Sequence, residues 1–211
     1  ANGTLFTYEY EAIIPGLLKR WYEERQEMQR KMRECGDNEI EREYWDKRQL
    51  VKKINLNSLY GAILNPGCRF FDMRIGQSVT LSGRCITKHM ASKVNEIVAG
   101  KYDHKGESVV YGDTDSVYFS AYKTLEKEIK DGLIPWTRDS VLGLYDKISD
   151  EVNSSFKAFM TRAFHTPATR GEVIAAGREL VASKGLFITK KRYAVLYYDK
   201  EGKRADVEGK D

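Results

Sequence analysis

Asp113 and Asp115 stand two residues apart in the stretch 107–120, Glu-Ser-Val-Val-Tyr-Gly-Asp-Thr-Asp-Ser-Val-Tyr-Phe-Ser, where β-branched and aromatic runs flank Gly112-Asp113-Thr114-Asp115. Val, Tyr and Phe suit a half-buried pleated surface, and Gly and Asp tolerate tight turns, so the pattern predicts a β-hairpin with both acids at its tip. Two carboxylates facing one space repel unless a divalent cation or a proton stands between them, which points to a hard-metal site. A solvated Asx turn is the plain alternative. A second group, Lys53, Asn57, Tyr60 and Gly61, falls at i, i+4, i+7 and i+8, one face of a helix. A cation, an amide and an aromatic beside a residue without a side chain could read phosphates and let a base pair approach, although ordinary helix packing produces the same spacing. A third group, Lys190, Lys191 and Arg192, lies at a strand junction. It could grip backbone phosphates without reading sequence, or equally protect a sheet edge from aggregation.

The elements that must position these groups follow from the hydrophobic pattern. Residues 4–10 could be an incoming strand or an extended connector. A helix is expected from about Pro15 to Glu34, with a break at Cys35-Gly36-Asp37-Asn38. A second helix runs from near Glu39 to about Leu64, where Asn65-Pro66-Gly67 stops it, making an antiparallel αα-hairpin. After an aromatic connector, Cys68 to Asp72, a helical stripe of Val79, Gly83, Ile86, Met90, Val94 and Ile97 predicts a helix over 78–98. A short charged helix or loop is expected over 125–132. Thr137 is a candidate N-cap for an amphipathic helix built on Val141, Leu144, Tyr145, Ile148, Val152, Phe156 and Phe159. Strand-like segments follow at 173–175, 178–181, 185–189 and 193–198, then a turn at 200–203 and a frayed charged tail over 204–211.

With 211 residues, 41% hydrophobic and 31% charged, the composition is that of a soluble globular protein. The net charge of +4 and pI near 8.8 are too mild to identify a nucleic-acid binder alone. Their distribution says more: Lys and Arg crowd 19–53 and 184–204, and acids concentrate from Glu126 to Glu151. Cys35, Cys68 and Cys85 have no disulfide or zinc pattern and are expected as free thiols in a reducing compartment. His89, His104 and His165 lack metal-ligand spacing and are read as structural or solvated. No apolar run spans a membrane and no signal peptide is evident, so an intracellular protein without a membrane partner is expected.

Three stretches together resemble one family. Tyr111-Gly-Asp-Thr-Asp-Ser116 is similar to the YGDTDS motif of family B DNA polymerases, Lys53 to Gly61 (KINLNSLYG) to the Kx3NSLYG helix of the fingers, and Lys190-Lys191-Arg192-Tyr193 to the KKRY element. They occur in family order, and the match is closest to phage-type replicative polymerases. The resemblance implies that Asp115 bridges two catalytic Mg²⁺ ions, with Asp113 a secondary ligand or second-shell partner. It also implies that Lys53, Asn57 and Arg25 bind the dNTP triphosphate and that Tyr60 lies against the nascent base pair. Arg20 competes with Arg25 for that role. Lys190, Lys191, Arg192 and Tyr193 would hold the DNA primer–template, and Glu179 matches an acidic position near the metals.

The implied architecture is a partial polymerase domain of the α+β class, an antiparallel palm sheet flanked by helices with a two-helix antiparallel fingers hairpin. Residues 1–12 would be a palm-to-fingers connector, 13–64 the fingers and 65–211 the C-terminal palm. The implied activity is DNA-directed DNA polymerase in viral, phage-type DNA replication, in the host cytoplasm if viral. The family's upstream DxxSLYP strand, which carries the other catalytic Asp, does not occur in this sequence. The expectation is therefore a subunit of a split polymerase, or an excerpt of a longer one, about a quarter of a full-length member. Its missing portion would be a partner, and the isolated chain inactive. A nucleic-acid-binding or assembly subunit without turnover is the alternative. An exposed sheet edge could also pair with a second copy as a dimer.

Overall fold

The computed structural model of the chain describes residues 1–200 and the backbone of 203 and 204. Glu201, Gly202 and residues 205–211, with most of the expected turn and tail, lie outside the described residues. The chain divides into two compact units, Ala1–Leu81 and Ser82–Asp211, with the boundary inside a helix.

In the first unit, residues 4–10 form no strand, as the connector reading expects. Helix α1 (Ile13–Glu34) and helix α2 (Glu39–Ile63) make the αα-hairpin. Their partners run in opposite order: Arg25 Nε donates to Gln49 Oε1 at 3.1 Å, Glu24 pairs with Lys52, and the Lys31 ammonium sits 4.6 Å from the Trp45 ring centroid. Asn38 caps α2, its side chain accepting from the Glu41 N–H at 3.2 Å. The pair is thin. No residue of α1 is buried, and only Ile63 of α2 is.

Helix α3 (Met73–Ala99) begins five residues before the expected Ser78. The cause is Asp72, which precedes the first turn and accepts from the Arg74 N–H at 2.9 Å and from its guanidinium at 2.8 Å. These bonds, the guanidinium first, hold the Asp72 carboxyl down to about 2. Gly100, at φ +73°, ends α3 as its N–H donates to Glu96 O.

The second unit is a helical platform carrying two antiparallel ladders. Strands β1 (Val109–Asp113) and β2 (Ser116–Phe119) pair as one hairpin. Strands β3 (Leu180–Thr189) and β4 (Arg192–Lys200) pair as another, extended by the short β5 (Lys203–Arg204). Helices α4 (Tyr122–Lys130), α5 (Arg138–Phe164) and the one-turn α6 (Ala168–Gly171) fill the connections. This is the expected α+β class, with the sheet divided into two ladders among the described residues. Thr137 caps α5 as expected, accepting from the Ser140 N–H at 3.3 Å.

Val94, Ile148, Val152 and Phe156 form the core between α3 and α5, and Val109 and Phe119 of the first hairpin pack onto it. Val141, Leu142 and Val181 anchor the second hairpin with Trp136, Tyr145 and Tyr198. His89 is buried in the first core and serves as structure: its Nδ1 lies 2.7 Å from the Tyr102 hydroxyl, its Nε2 2.9 Å from Ser155 Oγ, and its ring stacks on Phe159 at 4.0 Å.

Two strand expectations change. The segments 178–181 and 185–189 belong to one continuous, bulged strand, β3, apart from Arg178 and Glu179, which precede it. Residues 173–175 join no sheet. The next residue, Ala176, has its backbone taken by a helix: its N–H donates to Asn153 Oδ1 at 2.7 Å, and its carbonyl accepts from Asn153 Nδ2 at 2.8 Å. An extended backbone satisfied by a side chain has no call on a neighbouring strand.

Candidate active site

The Asp-bearing turn is tighter than the sequence suggests and one residue later in the chain. Gly112 and Asp113 are still strand, paired with Val117 and Ser116, and only Thr114 and Asp115 form the loop. The backbone angle unusual for an L-residue falls on Thr114, at φ +50°, and Gly112 is not in that region. Ser116 Oγ donates to Asp113 O at 3.1 Å and closes the turn, while Thr114 Oγ1 donates to Asp113 Oδ1 at 3.2 Å. Asp113 is thus half-buried and tied down, and Asp115 is exposed.

Asp115 lines a cleft of about 510 Å³ together with Ser116, Tyr118, Glu179, Ser183 and Phe187. Asp113 does not line it, so the carboxylate that shares this space with Asp115 is Glu179. Glu179 is exposed, and its neighbour Arg178 fixes the segment. The Arg178 guanidinium donates to Asp146 of α5 at 2.5 Å and to the buried Asp199 of β4 at 2.5 Å. Among the described residues no group of three or more His, Cys, Asp or Glu side chains is placed to hold a metal ion. Asp115 and Glu179 still fit Mg²⁺, which takes hard oxygen ligands and is held by one or two carboxylates with water and substrate phosphate completing its shell.

The basic turn is joined to this hairpin. Lys190 and Lys191 are the two loop residues between β3 and β4, with Lys191 at φ +64°. The Lys191 N–H donates to the Tyr111 hydroxyl at 2.8 Å, and the Tyr118 and Tyr193 hydroxyls lie 2.9 Å apart. Tyr111 and Tyr118 are cross-strand partners in the first hairpin, Phe187 and Tyr193 in the second. The four rings meet with centroids from 5.3 to 5.8 Å apart. The bond to Tyr193, and then burial, push the Tyr118 phenol well above its ordinary pKa. Tyr193 is therefore committed partly to the protein, while Lys190, Lys191 and Arg192 are exposed. Sequence reasoning missed this aromatic link. Its signal was two aromatic pairs, each with one member on either side of a turn.

Arg25, Lys53, Asn57 and Tyr60 all belong to the first unit. Lys53 and Asn57 are exposed on α2, the Tyr60 hydroxyl donates to Gly76 O at 3.1 Å, and Arg25 is half-buried on Gln49. Arg20, the competitor, is exposed and reaches Glu24 at 3.8 Å.

The first unit thus carries a helical hairpin with exposed cations, and the second an Asp-tipped β-hairpin bolted to a basic turn. Residues 4–132 match the family model of DNA polymerase family B, and the chain belongs to that family. It is 33% identical over 168 residues to the DNA-directed DNA polymerase of Escherichia phage RB69, covering 74% of this chain and 18% of that protein. The corresponding enzyme of Enterobacteria phage T4 is 31% identical with the same coverage, and DNA polymerase 1 of Pyrococcus abyssi is 27% identical over 201 residues, 95% of this chain and 21% of that one. The chain spans about a fifth of the length of these relatives. Among the described residues no helix is long and apolar enough to cross a membrane.

Proposed function

We propose that this chain is the fingers (13–64) and C-terminal palm (65–211), with a connector (1–12), of a DNA-directed DNA polymerase that adds dNTPs to a primer 3′-OH. The observation that carries the reading is the union of the Lys190–Lys191 turn with the Asp115 hairpin through Tyr111, Tyr118, Phe187 and Tyr193. A polymerase must hold the duplex by its phosphates and present its 3′ end to a carboxylate at fixed distance, and this linkage makes both tasks one body.

Asp115 and Glu179 would hold Mg²⁺, and Asp113 acts from behind the turn. The chemistry that two such ions supply is activation of the 3′-OH and neutralisation of charge on the phosphoryl group and departing pyrophosphate. Lys53, Asn57 and Arg25 bind and orient the triphosphate, a task that cations and amides perform by preorganised electrostatics. Arg25 must leave Gln49 to do so. Tyr60 lies against the nascent base pair, and Lys190, Lys191 and Arg192 grip backbone phosphates. The rest of the polymerase supplies the other catalytic Asp. The phage relatives support a role in viral DNA replication, inside the host cell.

Primer extension tests this reading with the chain alone, the chain with an upstream polypeptide carrying the missing strand, and Asp115→Ala in each. Extension only in the mixture, abolished by Asp115→Ala, is expected. DNA binding without extension in any mixture would instead make the chain a binding or assembly subunit, and sedimentation of the chain alone reports a self-paired dimer.

A further inference from the structure

We propose that Thr87 of α3 is a positioning residue, which through one hydrogen bond to the carbonyl of Thr114 holds the turn that carries Asp115. The inference rests on the reading of Asp115 as a metal ligand. Thr114 is β-branched and sits at φ +50°, a region such residues avoid, so the turn needs an outside restraint to stay there. Asp113 and Ser116 bond only within the hairpin, and Asp115 accepts no hydrogen bond among the described residues.

Thr87 Oγ1, on another element, donates to Thr114 O at 2.9 Å. The same hydroxyl lies 3.1 Å from Gly83 O, the acceptor a helical Thr ordinarily uses. One hydroxyl has one proton, and the shorter of the two contacts leads to the turn.

The other end of the hairpin is held from the same helix. Asn95, buried, accepts from the Ser108 N–H at 3.0 Å and donates to Asp103 O at 2.7 Å, clamping the entry to β1. A Cβ on Gly106 would come within 2.6 Å of the Asn95 side chain, so the loop closes directly on it. Thr87 and Asn95 lie about 12 Å apart along the helix axis. Asn95 holds the base of the hairpin, and Tyr111 and Tyr118 hold its middle through Lys191 and Tyr193; neither reaches residues 114 and 115, so without Thr87 the tip that carries the Asp115 carboxylate can swing. With Thr87 and Asn95 both in place, α3 sets where that carboxylate points.

The test uses the full chain, Mn²⁺ as a paramagnetic probe, and backbone amide NMR at residues 113–116. In the wild type Mn²⁺ broadens these amides, and Asp115→Ala removes the effect. Thr87→Val keeps the shape and loses the proton. It is expected to weaken Mn²⁺ binding and speed amide exchange at the turn about fivefold, and Thr87→Ser to restore both. Thr114→Asn supplies a residue that tolerates positive φ, and in that background Thr87→Val should have under about twofold effect. Wild-type Mn²⁺ affinity and exchange in Thr87→Val overturn the proposal, as does an equal loss in the Thr114→Asn background. The second comparison decides the matter even if Thr87→Val lowers global stability. Broadening that survives Asp115→Ala would sink the metal reading instead, and the exchange rates would still judge Thr87.

Discussion

Asp113 and Asp115 have the same side chain and different surroundings, since one is bonded within its own turn and the other lines the cleft. Asp115→Ala should lower primer extension by the assembled polymerase on the order of 10³-fold, as loss of a group that stabilises the reacting charge does. Asp113→Ala should cost about 10- to 100-fold, in the range of groups that orient a ligand from behind. Steady-state rates with the template saturating separate the two. Lys190→Ala or Lys191→Ala should weaken duplex binding evenly across sequences and reduce the slope of log affinity against log salt by about 1 each, read by titration at several salt concentrations. The types and spacing of all these residues were legible in the sequence. Glu179 as the carboxylate near Asp115 was legible only through the family resemblance, because it is far along the chain and is placed by Arg178 bridging Asp146 and Asp199, a contact no local pattern records.

Elements with their own punctuation were the easiest to read. Helix α5 carries a Thr cap, a long apolar stripe and a stop at His165, and it lies where the pattern puts it. Thr137→Ala should cost about 1 kcal/mol, and Phe156→Ala, which empties the centre of the core, about 4 kcal/mol, both measured by denaturant unfolding. The elements misjudged were those governed by side-chain hydrogen bonds, near or far in sequence, that the hydrophobic pattern does not record. Asp72 moved the start of α3 by pairing with Arg74, and Asn153 kept 173–175 out of a sheet by occupying the backbone of Ala176. The turn at Thr114 was displaced for the same reason, since hydroxyls of Ser116 and Thr87 hold a geometry that Gly112 suggested elsewhere.

For the molecule as a whole, His89 ties stability to pH. Burial first, then Arg162 and Lys93, lower its pKa against the opposing pull of Glu96. The Ser155 hydroxyl donates to Val152 O, so His89 Nε2–H donates to Ser155 while Nδ1 accepts from Tyr102, which is the neutral imidazole. Above the unfolded value of about 6.5 both states are neutral and stability is full; as pH falls through it the unfolded chain takes the proton first and stability drops. The Tm should therefore fall between pH 7.5 and 5, by less in His89→Gln, as scanning calorimetry would read it. The two units will not melt alike. With no buried residue in α1 and one in α2, the helical pair has little apolar surface to lose when its turns open. Trypsin should nick between Arg30 and Arg48 while the segment 141–160 is still intact, and amides there should exchange with solvent earliest. On the proposed reading of Lys53 and Asn57, a hairpin that loosens at such small expense would take up and let go of a nucleotide many times over without unfolding its own turns for good.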